Sequence, residues 1–181
     1  MRKISGSGVR SVVSLLGAGL LVGLATSCSS SSATREYAVP DDVCGIRVAG
    51  PLLEPLLPAG KKITAEPTSA VGTQRCRLLV DGKVVFSSSL EKRGVDTTAG
   101  DVAASAYGVN PTDAGTNGGD VIYSKTGAVG RVECPNSASA NNTVWATART
   151  SHSVKASAMR SFIEGYRAAA AKSACRTLSA H

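Results

Sequence analysis

The chain has 181 residues, 43% of them apolar and only 4% aromatic, which suffices for one domain with a real core. Its formal charge of +7 falls to +4 once Arg2, Lys3 and Arg10, which stand in a segment read below as cleaved, are set aside. A surplus this mild and scattered excludes a nucleic-acid signature, and it reads as an evenly solvated surface with at most a modest attraction to anionic headgroups or wall polymers.

The basic start runs into an uncharged stretch from Ser11 to Ser27, rich in Leu, Val, Gly and Ala, which is the pattern of an export signal. Ala25, Thr26 and Ser27 are small enough for a peptidase groove to close around the backbone, and Cys28 offers a thiol for a diacylglyceryl group. The motif resembles the lipobox of bacterial lipoproteins, with Leu24 one place earlier than in the commonest arrangement and Ala25 where Leu is usual. Residues 1–27 are therefore expected to be a lipoprotein signal peptide and Cys28 the point of lipidation. Residues 28–39, in which a serine run follows Cys28, are expected to be a flexible tether. An ordinary signal peptide or an uncleaved anchor would use a similar apolar run, but the Gly and Ser content argues against a stable span.

Cys44, Cys76, Cys134 and Cys175 make an even number in a chain read as exported, so two disulfides are expected. No pair has CxxC spacing and both histidines lie far from them, so neither a zinc site nor a thioredoxin-like site has a motif. Of the three connectivities, Cys44–Cys76 with Cys134–Cys175 is preferred, because sequential pairing joins each half of the domain to itself.

The domain is expected over residues 40–176, with 177–181 as a tail. Leu52, Leu53, Leu56 and Leu57 recur at helical spacing after Pro51 and predict a helix of at most two turns, ended by Pro58 and Gly60. Arg77 to Phe86 reads as a β-hairpin around Asp81-Gly82, a turn that needs positive φ at both positions. A regular register places Cys76, Leu78, Val80 and Val85 on one face, with Leu79, Val84, Phe86 and Leu90 on the other.

Thr97 to Tyr107 predicts a short helix capped by Thr97 or Thr98, with Asp101 in its first turn and Gly108 as its stop. Gly108 to Gly119 is a turn-rich loop. Asp113, Asn117 and Asp120 lack the spacing of a calcium loop, and the glycines precede a strand and not a helix, so no phosphate cradle forms there. Val121 to Tyr123 and Ala128 to Cys134 predict a second hairpin, and a polar connection covers Pro135 to Asn142.

Thr143 to Thr150 alternates cleanly, with Val144, Ala146 and Ala148 on one side and Thr143, Trp145, Thr147 and Arg149 on the other. Trp145, the only tryptophan, is expected to pack beneath a helix or the tether, the alternative being an indole that faces a ligand. The last helix is expected from Val154 to Lys172, capped by Ser151 or Ser153. Met159, Phe162, Ile163, Tyr166, Ala169 and Ala170 form its buried stripe, opposite Arg160, Glu164 and Arg167. Cys175 points away from that stripe, so the helix is expected to fray before it.

The fold class is thus α+β: an antiparallel sheet of about five strands, two hairpins plus one strand, packed by a long C-terminal helix and shorter helices and held by two disulfides. Catalysis has no constellation to rest on. His152 sits in a Ser-His-Ser segment without a Gly-x-Ser-x-Gly elbow or a placed acid, and no cofactor or metal is implied.

The lipobox-like end at Cys28, the Asp-Asp-Val-Cys44-Gly start, Cys76 at the head of a hairpin and a C-terminal helix ending in Cys175 together resemble small actinobacterial lipoproteins of unknown function. That resemblance spans residues 40 to 176 and implies an antiparallel sheet flanked by helices, with no activity to carry over. The expected function is a non-enzymatic exported lipoprotein, held at the extracytoplasmic face of the cell membrane through lipid on Cys28, whose domain binds an envelope protein or wall polymer. A small-molecule or lipid carrier is the alternative, and a hydrolase built on His152 the third reading.

Overall fold

The computed structural model describes residues 34–116, 118–134 and 142–179. Two short strands, β1 (Asp42–Val43) and β2 (Ile46–Arg47), pair through Cys44-Gly45. Helix α1 (Gly50–Leu53) follows and continues as a single 3-10 turn over Glu54–Leu56, with Pro51 in the first turn as the sequence implies. The main sheet contains β3 (Ile63–Ala70), β4 (Thr73–Val80), β5 (Lys83–Gly94), β6 (Ala114–Gly115), β7 (Val121–Tyr123), β8 (Gly127–Val132) and β9 (Asn142–Thr150). Helix α2 (Ala99–Ser105) lies between β5 and β6, and α3 (Ala156–Ser179) closes the chain.

The seven strands are antiparallel in the order β3-β4-β5-β9-β8-β7-β6. The α+β class stands, but the sheet has seven strands and not about five. The additions are β6, two residues paired with Ile122 and Tyr123, and the edge strand β3. β3 is exposed along nearly its whole length, so it has no buried face to write an alternating pattern into the sequence. Pro67 also marks it as an edge, where a missing N–H costs no ladder bond.

Asp81 (φ 50°) and Gly82 (φ 78°) both occupy the left-handed region, as the β4–β5 turn requires. The facing of β5 differs from the regular register. Leu79 pairs with Val84 but Leu78 pairs with Phe86, so Val85 is an extra residue in a β-bulge. Beyond it every side chain of β5 changes face, and Phe86 and Leu90 join Cys76 and Leu78 in the core.

Both faces of the sheet are covered. On one, α3 lays Met159, Phe162, Ile163, Tyr166 and Ala170 on the strands. Phe162 meets Phe86 edge to face at 5.0 Å and stacks on Tyr166 at 5.4 Å. On the other, α2 covers Ile122, Val129 and Trp145 with Ala99, Val102 and Ala103. The Thr98 side chain accepts from the Asp101 backbone while Asp101 accepts from the Thr98 N–H, a reciprocal cap that starts α2 where expected.

Three further boundaries move. Residues 34–39 lie in the predicted tether, yet Arg35 donates to the Leu57 carbonyl at 2.6 Å and bonds Glu54, and the Tyr37 hydroxyl donates to the Pro58 carbonyl. The contacts of the domain therefore begin before residue 40. Helix α3 starts at Ala156, where the Lys155 carbonyl accepts from the N–H groups of Ala158 and Met159, so neither Ser151 nor Ser153 is its cap.

At its far end α3 runs through Cys175 to Ser179 without fraying first. Cys134 comes to the flank of the helix, because Arg167 donates to the Arg131 carbonyl and pairs with Glu133, and so the disulfide forms on a regular helix. The two bridges are Cys44–Cys76 and Cys134–Cys175, the expected connectivity.

Candidate functional site

Strand alternation puts a polar stripe on the face of the sheet opposite α3. On β4, Arg75 and Arg77 alternate with buried Cys76 and Leu78. On β5, Ser87, Ser89, Glu91 and Arg93 alternate with Ser88 and Leu90, and on β9, Thr147 and Arg149 alternate with Ala146 and Ala148. The registers of β4, β5 and β9 align these into rungs: Arg77, Ser87 and Arg149 in one, Arg75, Ser89 and Thr147 in the next. Helix α2 reaches only part of this face, so its C-terminal end forms a wall beside the rungs. The result is an open groove of about 280 Å³ between Ser105 to Tyr107 and the polar stripe.

Four arginines and one glutamate line the groove, leaving a net charge of +3. Glu91 is the anionic hub at one end: it accepts from Arg93 at 2.7 Å, faces Arg75 at 3.6 Å and accepts from the Ser89 hydroxyl at 3.0 Å. Ser89 and Thr147 also share a hydrogen bond of 2.8 Å. At the other end the balance is different. Arg77 and Arg149 have no carboxylate partner among the described residues, and the Arg149 guanidinium lies 5.4 Å from the centre of the Tyr107 ring.

Tyr107 is held in the wall by a tight backbone crossing. Gly108 adopts φ 84°, and the carbonyl of Gly108 accepts from the hydroxyls of Ser124 and Thr126. A Cβ at Gly127 would stand 2.7 Å from the Gly108 carbonyl carbon and 2.9 Å from the Tyr107 oxygen, closer than side chains pack. The pair of glycines therefore lets the end of α2 lie directly on β8 and present Tyr107 to Arg149.

Trp145 lies behind this wall and not in it. Its ring is 1% exposed under α2, and its indole N–H donates to the Thr143 hydroxyl at 3.0 Å. Of the two placements considered for it, the cover of a helix is the one the fold adopts. Cys28, the expected lipidation site, lies outside the described residues, as do Asn117 and most of the Pro135 to Asn142 connection.

His152 is half-buried, and its backbone carbonyl accepts from the Thr150 hydroxyl at 2.6 Å; among the described residues no hydrogen bond joins its ring to a serine or a carboxylate. Asp113 accepts from the Asn110 N–H within its own loop. Among the described residues no cluster of His, Cys, Asp and Glu is assembled for a metal, and no helix is long and apolar enough to cross a membrane.

The arginine groove is the candidate site that the sequence does not reveal. Its local signal is present in Arg75-Cys76-Arg77 and Ser87-Ser88-Ser89, where a residue aimed at the core separates two aimed outward. What the sequence hides is that β9, more than fifty residues after β5 begins, inserts beside it and brings Arg149 opposite Arg77. Comparison of the chain with known protein families, curated proteins and solved structures finds no match.

Proposed function

We propose that this chain is an exported lipoprotein, anchored through lipid on Cys28, whose domain is a non-enzymatic binding module that meets an envelope component on the arginine-lined face of its sheet. The observation that carries the reading is the groove itself: two arginines that have no carboxylate partner among the described residues, two strands apart, beside an exposed tyrosine. Guanidinium groups left unpaired on a rigid sheet are poised for an anionic partner, since no internal ion pair has to be broken first.

Two disulfides support an extracytoplasmic address, because such bridges persist in oxidising compartments. The basic start, the apolar run to Ser27 and the small residues before Cys28 support export and lipidation. The carrier reading places a ligand between the sheet and its helices, and on the α3 side Phe86, Phe162, Tyr166 and Met159 occupy that space.

Metabolic labelling with a radioactive fatty acid tests the anchor. Wild-type protein is expected to carry label and to sit in the membrane fraction, and Cys28→Ala is expected to lose both. Equal labelling of the two chains would overturn the lipid-anchored reading.

A further inference from the structure

We infer that the Arg77–Ser87–Arg149 rung is a binding site for a phosphate ester of about monosaccharide size. This deepens the proposed binding role and rests on it.

The two guanidinium groups rise from β4 and β9 on either side of β5, so their backbones stand about 10 Å apart, with the Ser87 hydroxyl between them. Donors supplied from two separate strands suit a tetrahedral anion with several oxygens. A planar carboxylate presents its oxygens along one edge and is satisfied by a single arginine fork. Further along the groove Arg75 and Arg93 are both taken up by Glu91, which leaves Arg77 and Arg149 as the pair without a carboxylate among the described residues.

The surroundings extend the fit beyond the anion. Tyr107 is 78% exposed and its ring lies against Arg149, so a flat apolar face stands beside the charge, as a sugar or glycerol backbone would require. In the next rung the Ser89 hydrogen goes to Glu91 and the Thr147 hydrogen to Ser89, which leaves the Thr147 oxygen to accept from a ligand hydroxyl. A groove of about 280 Å³ has room for one such unit. At the opposite end Glu91 already engages Arg75 and Arg93, so the unpaired end at Arg77 and Arg149 is the one open to the anion.

Calorimetric titration of the full chain tests this with glycerol phosphate, glucose 1-phosphate, and uncharged glycerol and glucose as probes. The phosphate esters are expected to bind, increasingly weakly as salt is raised, and the uncharged probes are not. Arg77→Ala with Arg149→Ala is expected to weaken binding about tenfold or more, and Lys at both positions to restore it only in part, because Lys keeps the charge but loses the fork. Both side chains are exposed, so an unchanged circular-dichroism melt confirms that the variants are folded.

Vesicles of phosphatidylglycerol compared with phosphatidylcholine separate the two sources of the ester. Capture by the former that depends on Arg77 and Arg149 assigns a lipid headgroup, and binding of soluble esters alone assigns a soluble or polymer-borne one. Equal affinity of the wild type and the double alanine variant, or no binding of either ester, would overturn the inference while leaving labelling at Cys28 untouched.

Discussion

Tyr166 places a titratable hydroxyl in the core between α3 and β5, 3% exposed, with the Ser88 hydroxyl donating to it at 3.2 Å. Burial disfavours the phenolate and pushes the pKa from 10.0 to about 12, with the Ser88 hydrogen bond opposing the rise. The folded state therefore holds the proton more tightly than the unfolded chain. Its contribution to stability is intact below pH 10, and it is lost as the pH climbs through the window from 10 to about 12. A shift of two units corresponds to about 2.7 kcal/mol, a sizeable share of the roughly 5–15 kcal/mol that stabilises a typical domain.

Tyr166→Phe isolates this contribution, since every lysine that also titrates in the window is common to both chains. At pH 8 the variant lacks the hydrogen bond and strands Ser88, so it should be less stable by about 1 kcal/mol. Denaturant unfolding repeated at half-unit steps from pH 8 to pH 12 should show the two stability curves converging above pH 10 and then crossing, with the variant more stable at the alkaline end. A difference that stays constant across that range would show that the phenol is not held neutral by the core, and the packing of α3 described above would be wrong there.

Three other outcomes follow from the fold. Removing either disulfide by a double Cys→Ala change opens a loop of 32 residues (Cys44–Cys76) or 41 (Cys134–Cys175) and should cost about 4 kcal/mol in the chain-entropy treatment, read as a fall in the denaturant midpoint; an unmoved midpoint would refute it. Gly127→Ala should lower stability by about 1–3 kcal/mol and disturb the Tyr107–Arg149 contact, because the new methyl meets the backbone at Gly108 and Tyr107; an unchanged melting temperature would contradict the close crossing. Trp145, as the sole tryptophan, should emit at short wavelength and resist acrylamide quenching until the domain unfolds, and a red, readily quenched emission would mean that α2 does not cover it.

Local chemistry was most legible where it was self-contained. Asp81-Gly82 specifies its turn, Thr98 and Asp101 specify a helix start, and the alternation from Thr143 to Thr150 specifies a strand covered on both sides, because each depends on neighbours in sequence. β3 was not legible, since an exposed edge strand is defined by its partner β4 and not by a pattern of its own. The bulge at Val85 was hidden for a similar reason: one extra residue leaves no mark on composition, yet it carries Phe86 and Leu90 to the opposite face.

The end of α3 shows the converse limit. Cys175, expected to point away from the buried stripe, is 6% exposed and belongs to the same buried cluster, because its partner Cys134 reaches the helix where the chain leaves β8. The groove needed all of this at once, namely the bulge-corrected phase of β5, the insertion of β9 and the incomplete cover of α2.

The central claim, that the arginine-lined face is where this domain meets its envelope partner, is tested most directly by crosslinking in intact cells. A photoreactive residue at position 105, on the groove wall, is compared with one at position 157 on the outer side of α3. A crosslinked product is expected from position 105 that disappears when Arg77 and Arg149 are both replaced by Ala. Products arising from position 157 alone, or from position 105 regardless of the two arginines, would contradict it.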